Sequence, residues 1–228
     1  MSPMEMNRPV FEAIIFDAEG VVIDTEPLWD RAQKLLLERR GVHYDRDRVK
    51  HLIAGKSTLD GIAILQREFN ISGDPEALAE ERKGVIEKLI AERVQFIPGF
   101  EEFFGRACKL YRTCIATSMP EDLMAVVNLR LHLTTLFGNR IFSISDVGNR
   151  SKPDPALFLY AAQKLSTAPD RCLVIEDSPN GIEAAHRAKM YCIGLATTFP
   201  RERLKDATEI ASSYEDIARV ILLDEASA

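Results

Sequence analysis

Ala13-Ile14-Ile15-Phe16-Asp17-Ala18-Glu19-Gly20-Val21-Val22-Ile23-Asp24-Thr25-Glu26 is the stretch from which the fold is read. The apolar, β-branched run before Asp17 predicts a buried strand, about residues 11–17. Asp17 ends that strand, and a second carboxylate, Glu19, and a turn glycine, Gly20, follow at once. In open α/β sheets, ligands bind outside the carboxyl ends of the strands. Carboxylates placed there are costly unless they bind a cation or take part in chemistry. The competing reading is a helix cap at a strand-to-helix turn.

The pattern downstream sets the architecture. Helical segments are expected at 28–40, at 57–69 with Ser57 or Thr58 as N-cap, and at 75–94, with no strand among them. That span is too long for a simple βα connection. Pro98-Gly99 punctuates a return to alternation. Helices at 100–109, 120–131, 155–165 and 180–188 precede strands at 111–117, 140–145, 171–176 and 190–196. A short strand near 208–212 and a helix at 214–223 close the chain. Strands alternating with helices imply a doubly wound, Rossmann-like α/β fold with a parallel sheet. A helical domain, residues 27–96, is inserted into a core formed by 1–26 and 97–228.

Composition bounds the function. At 228 residues, 46% hydrophobic and 28% charged, the chain has an ordinary globular balance. A net charge of -6 gives nucleic acid or anionic lipid nothing to bind. No apolar run reaches membrane-span length, and the polar start, Met1 to Pro9, leads to an expected cytoplasmic location. The four cysteines form no CxxC pair, and Cys114, Cys172 and Cys192 read as apolar filler in or beside strands. The four histidines lack metal-ligand spacing.

Polar residues recur at the ends of the predicted strands. Thr117-Ser118 ends the second, where a hydroxyl and the amides of the next helix suit a phosphoryl oxygen, or where the pair simply caps that helix. Ser151-Lys152-Pro153-Asp154-Pro155 opens another helix; flanking prolines stiffen the loop, so Lys152 reads as a fixed cation rather than a solvated side chain. Glu176-Asp177-Ser178 repeats the logic of Asp17 after Cys172-Leu173-Val174-Ile175. With Asp17 these carboxylates make an oxygen-rich anionic cluster of the kind that holds Mg²⁺.

Together the four segments resemble the haloacid dehalogenase superfamily, in its sugar-phosphatase and β-phosphoglucomutase-like branch. The signature runs occur in family order: Asp17-Ala18-Glu19-Gly20 with Asp24-Thr25-Glu26, then Thr117-Ser118, Lys152-Pro153 and Glu176-Asp177-Ser178-Pro179-Asn180-Gly181. The resemblance makes the helical insert a cap domain and Asp17 a nucleophile that forms an aspartyl-phosphate. It implies that Asp17, Asp177 and the carbonyl of Glu19 hold Mg²⁺, with Glu176 as direct or supporting ligand. Thr117, Ser118 and Lys152 would bind the phosphoryl group, and Glu19 would be the general acid/base.

Three residues depart from that pattern. Glu19 stands where relatives usually carry Asp, one methylene shorter, so restoring Asp is expected to raise turnover. Trp29 replaces a histidine of mutase-type relatives and reads as a substrate contact or as cap packing. Lys189 stands where the family often has glycine, so the preceding helix closes without glycine's freedom at positive φ. In the insert, His51-Leu52-Ile53-Ala54-Gly55-Lys56-Ser57 resembles a specificity loop, which makes Gly55 and Lys56 candidate substrate contacts. Leu36, Ile62, Leu65 and Phe69 read as the insert's own core. Met119 has no evident role.

The expected activity is that of a Mg²⁺-dependent phosphatase of a small phosphorylated metabolite, a sugar or polyol phosphate, in a monomer or weak homodimer without nucleic-acid or membrane partners. The alternatives are a β-phosphoglucomutase-like phosphomutase and a catalytically weak phosphometabolite-binding or regulatory protein.

Overall fold

A computed structural model describes residues 10–53 and 58–221. Its centre is a six-stranded parallel sheet: β1 (Ala13–Phe16), β2 (Arg112–Thr117), β3 (Ile141–Ser143), β4 (Cys172–Glu176), β5 (Tyr191–Leu195) and β6 (Glu209–Ala211), in the order β3-β2-β1-β4-β5-β6. β1 therefore lies between β2 and β4. Phe16 pairs with Ile115 on one side and Ile175 on the other, so the strand ends that carry Asp17, Thr117 and Glu176 are neighbours.

Period-two alternation sends side chains to opposite faces. Ile14, Phe16, Ile115, Leu173, Ile175, Ile193 and Leu195 join one buried cluster. Helices α5 (Phe100–Leu110), α6 (Glu121–Leu131), the short α7 (Leu133–Phe137) and α10 (Tyr214–Ile221) cover it. Phe16 meets Phe100 and Phe137 with ring centroids 5.8 and 6.0 Å away. Ala13, Ile15, Cys114, Ala116, Cys172, Val174 and Cys192 face the other way, under α8 (Ala156–Lys164) and α9 (Pro179–Arg187). The three buried cysteines thus fill space on a sheet face, as expected.

Four helices are inserted after β1: α1 (Glu26–Glu38), α2 (Arg46–Ile53), α3 (Thr58–Phe69) and α4 (Pro75–Arg93). Asp74 caps α4 by accepting from the Ala77 amide at 2.9 Å, ahead of Pro75. Leu36, Ile62 and Leu65 are buried in a separate cluster with Leu37, Val49 and Leu78, and Phe69 packs at its margin. The insert leaves and rejoins the core at one place: Asp24 donates to the Gln95 carbonyl at 2.9 Å and Ile97 to that of Val22 at 3.0 Å.

The structure adds two helices to the sequence reading, α2 and the short α7, and stops β3 early. α2 was not expected, because Val49 is the only buried side chain among those described in it. Its anchors are polar: Arg46 pairs with Asp30, Lys50 lies 3.0 Å from Glu26, and Arg48 sits 5.2 Å above the Phe69 ring. The strand expected at 140–145 stops at Ser143. There a capping box, Ser143 with Asp146, turns the chain into a 3-10 turn, Ile144–Val147. Lys189 takes φ +59°, and α9 ends with Lys189 N–H on the His186 carbonyl and Met190 N–H on that of Ala185. This is a Schellman closure made without glycine. No helix among the described residues is long and apolar enough to cross a membrane.

Candidate active site

The loop after β1 is folded tightly on itself. Asp17 N–H donates to the Ile175 carbonyl at 3.0 Å, and the Ala18 carbonyl accepts from Val22 and Ile23 at 2.8 and 2.9 Å. Gly20 has φ +72°, and a Cβ on it would fall 1.9 Å from Asp177 Oδ2. The glycine therefore supplies both the turn and the space through which the β1 loop touches the β4 carboxylate. Gly181, in the first turn of α9, leaves space for Glu176, whose Oε1 would lie 1.7 Å from an added Cβ.

Lys152 enters this cluster from the loop before α8. Its ammonium donates to Asp17 Oδ1, to Glu176 Oε1 at 2.7 Å and to the Ala116 carbonyl at 3.3 Å. It also stands 4.8 Å from the Phe158 ring centre, and its side chain is 7% exposed. A lysine so buried is built in rather than solvated. Glu176 is occupied on both oxygens: Oε2 accepts from the amides of Asp177 and Ser178 and from the Ser178 hydroxyl, while Oε1 takes Lys152.

The electrostatics follow from burial. It pushes Asp17 up to about 7, against the pull of Lys152 and with help from the Glu176 charge. Burial, then Glu176 and Asp17, hold Asp177 well above the usual carboxylate range. Burial opposes the charge on Lys152, but Asp17 and Glu176 outweigh it and raise its pKa. Three carboxylates share one ammonium, an excess of two negative charges when all are ionised. Among the described residues no three acidic, histidine or cysteine side chains stand in ready-made metal geometry. The donor chemistry nonetheless fits a hard divalent cation, which takes oxygen ligands and cancels such an excess.

Glu19 lies on the insert side of the site. Its Oε1 accepts from Thr25 Oγ1 and from Trp29 Nε1, each at 2.9 Å. Burial raises its pKa, and these two hydrogen bonds offset part of the rise. Trp29 thus meets the carboxylate at position 19 with its polar edge, while the Arg82 guanidinium sits 5.4 Å from its ring. At the end of β2, Thr117 Oγ1 accepts from the Met119 amide at 3.0 Å. Ser118 Oγ is buried with no hydrogen-bond partner among the described residues. Met119 is 1% exposed in the core cluster, so packing accounts for its apolar character. Gly55 and Lys56 lie outside the described residues.

The structure therefore brings together Asp17, Lys152, Glu176 and Asp177, with Thr117 and Ser118 on the adjoining strand end and Glu19 facing the insert. Sequence reasoning missed Thr197 and Thr198, which follow β5. The Thr197 hydroxyl donates to the Gly20 carbonyl, and the Thr198 hydroxyl lies beside Asp177 Oδ2 next to Gly20. It also missed Tyr214, which donates to the Val21 carbonyl at 2.8 Å from α10. None of the three sits in a local pattern; only the fold brings them near.

The haloacid dehalogenase-like hydrolase family model matches residues 11–189. A phosphorylated carbohydrates phosphatase of Thermotoga maritima is 33% identical over 182 residues, 78% of this chain and 81% of that protein. A fructose-1-phosphate phosphatase of Escherichia coli is 29% identical, over 80% of this chain and 95% of its own. Among solved structures, a haloacid dehalogenase family hydrolase of Deinococcus radiodurans with bound phosphate and sodium superposes with a TM-score of 0.81 at 26% identity, covering 96% of this chain and 99% of that one. The chain belongs to the haloacid dehalogenase-like hydrolases. Within them it falls in the sugar-phosphatase and β-phosphoglucomutase-like branch, as a phosphoric monoester hydrolase.

Proposed function

We propose that this chain is a Mg²⁺-dependent phosphatase of a sugar or polyol phosphate that works through an aspartyl-phosphate on Asp17. The observation that carries the reading is the buried contact of Lys152 with Asp17 and Glu176, beside Asp177, at the carboxyl edge of the sheet. The names of the similar phosphatases support the substrate class. Residues 27–96 are read as the cap, which covers the site and limits the entry of water.

Asp17 and Asp177, with the backbone carbonyl of Glu19, would hold Mg²⁺; when bound, the ion neutralises charge on the carboxylates and on the transferring phosphoryl group. Glu176, with both oxygens occupied, orients Lys152 and the Asp177 backbone. Asp17 attacks phosphorus, and the bond from phosphorus to the sugar oxygen breaks. Glu19 gives its proton to that oxygen, a task suited to a carboxyl whose pKa burial raises. Glu19 then takes a proton from the water that attacks phosphorus, which frees phosphate and returns Asp17. Lys152, the Thr117 hydroxyl and the partnerless Ser118 hydroxyl hold phosphoryl oxygens during both steps.

A panel of sugar and polyol phosphates tests this through phosphate release with Mg²⁺. Asp17→Asn should abolish release while leaving circular dichroism unchanged, and EDTA should abolish it reversibly. Full activity in that variant would sink the mechanism. With β-glucose 1-phosphate and a trace of the bisphosphate, inorganic phosphate should appear; rapid glucose 6-phosphate formation with little phosphate would favour a mutase.

A further inference from the structure

Asp177 is buried among like charges, and the hydroxyl of Thr198 lies beside its Oδ2 in the space next to Gly20. The three groups form one contact: a Cβ placed on Gly20 would fall 1.9 Å from Asp177 Oδ2 and 2.5 Å from Thr198 Oγ1. The preceding residue holds the other partner of that contact, because Thr197 Oγ1 donates to the Gly20 carbonyl. Two consecutive hydroxyls beyond β5 therefore fasten the loop that carries Asp17 and Glu19 and the carboxylate that follows β4. Lys152 does not do the second task, because its ammonium donates to Asp17, Glu176 and the Ala116 carbonyl.

We propose that Thr198 is a positioning residue that aims the Asp177 carboxylate at the divalent cation, with Thr197 fixing the neighbouring loop. The inference rests on the metal reading above. A hydroxyl that donates to a carboxylate fixes the rotation of its oxygens, and loss of such an outer partner commonly weakens metal binding 10- to 100-fold. Thr198→Val keeps the shape and removes the donor; Thr198→Ser restores the donor.

The measurement is the Mg²⁺ concentration that gives half of the maximal rise in melting temperature, in the full chain without substrate. Thr198→Val should need about 10-fold more Mg²⁺ or above, and Thr198→Ser should return close to wild type. At saturating Mg²⁺, kcat of Thr198→Val should recover most of its wild-type value. Equal Mg²⁺ requirements in wild type and Thr198→Val would overturn the role of Thr198, as would a serine variant no better than valine. A wild-type chain that Mg²⁺ does not stabilise at all would overturn the metal reading, and this inference with it.

Discussion

Glu19 spends its extra methylene on a specific partner. Its Oε1 reaches Trp29 Nε1 ten residues along the chain while also meeting Thr25. An aspartate would retract the carboxylate by about one bond length, and a misplacement of about 1 Å can cost on the order of 10² in rate. The expectation drawn from sequence, that Glu19→Asp raises turnover, is therefore reversed: Glu19→Asp should be slower than wild type, and Glu19→Gln slower still by about 10² or more, because it carries no proton. Steady-state kcat for the three forms on one substrate checks the order. Trp29→Phe removes a donor that favours the charged carboxylate, so the Glu19 pKa should rise further. The pH above which kcat/KM falls should then move upward, and an unmoved pH profile would show that the indole does not tune the acid.

At the scale of single elements, the end of α9 is the place where a local rule is broken. Lys189 holds a left-handed conformation that costs a residue with a Cβ about 1–2 kcal/mol. Lys189→Gly should stabilise the chain by about 1 kcal/mol and raise its melting temperature by about 2–4 °C, with phosphatase activity unchanged. Thermal unfolding of the two forms decides it. The same strain was legible in the sequence, where a non-glycine stood after Ala188. Asp17, Thr117 and Glu176 were legible too, because each closes a predicted strand and ligands bind outside the carboxyl ends of parallel strands. α2 was not, since ion pairs to α1 and α3 hold it rather than an apolar face. The early stop of β3 was written in Ser143-Ile144-Ser145-Asp146, a capping pattern that an apolar strand reading overrode. Thr198 had no signal of its own, because its partner Asp177 lies 21 positions earlier, on a different strand end.

For the whole molecule, the anionic cluster makes stability depend on pH and on cations. Asp17 binds its proton more tightly in the folded state, with a pKa of about 7 against 3.8 when unfolded. Stability from this group is intact below 3.8, declines as pH rises toward about 7 and is level above it. In EDTA the melting temperature should therefore fall across that window, a loss on the order of a few kcal/mol. Asp17→Asn should flatten the curve and melt higher than wild type near pH 8, and Mg²⁺ should restore the wild type there. A wild-type curve in EDTA as flat as that of the Asn variant would mean that Asp17 ionises freely.

The paired crossing at Asp24–Gln95 and Val22–Ile97 has a further consequence. The two ends of the insert leave the sheet side by side, so the core sees only a short gap to close, whatever is spliced across it. Closing a longer loop costs little: each doubling of length adds about 0.6 kcal/mol. The insert beyond Thr25 and Trp29, the two residues that hold Glu19, can thus change without moving the strand ends. A different set of helices grafted between Trp29 and Gln95 would redirect what the site accepts while leaving Asp17, Glu19, Lys152 and Asp177 in their register.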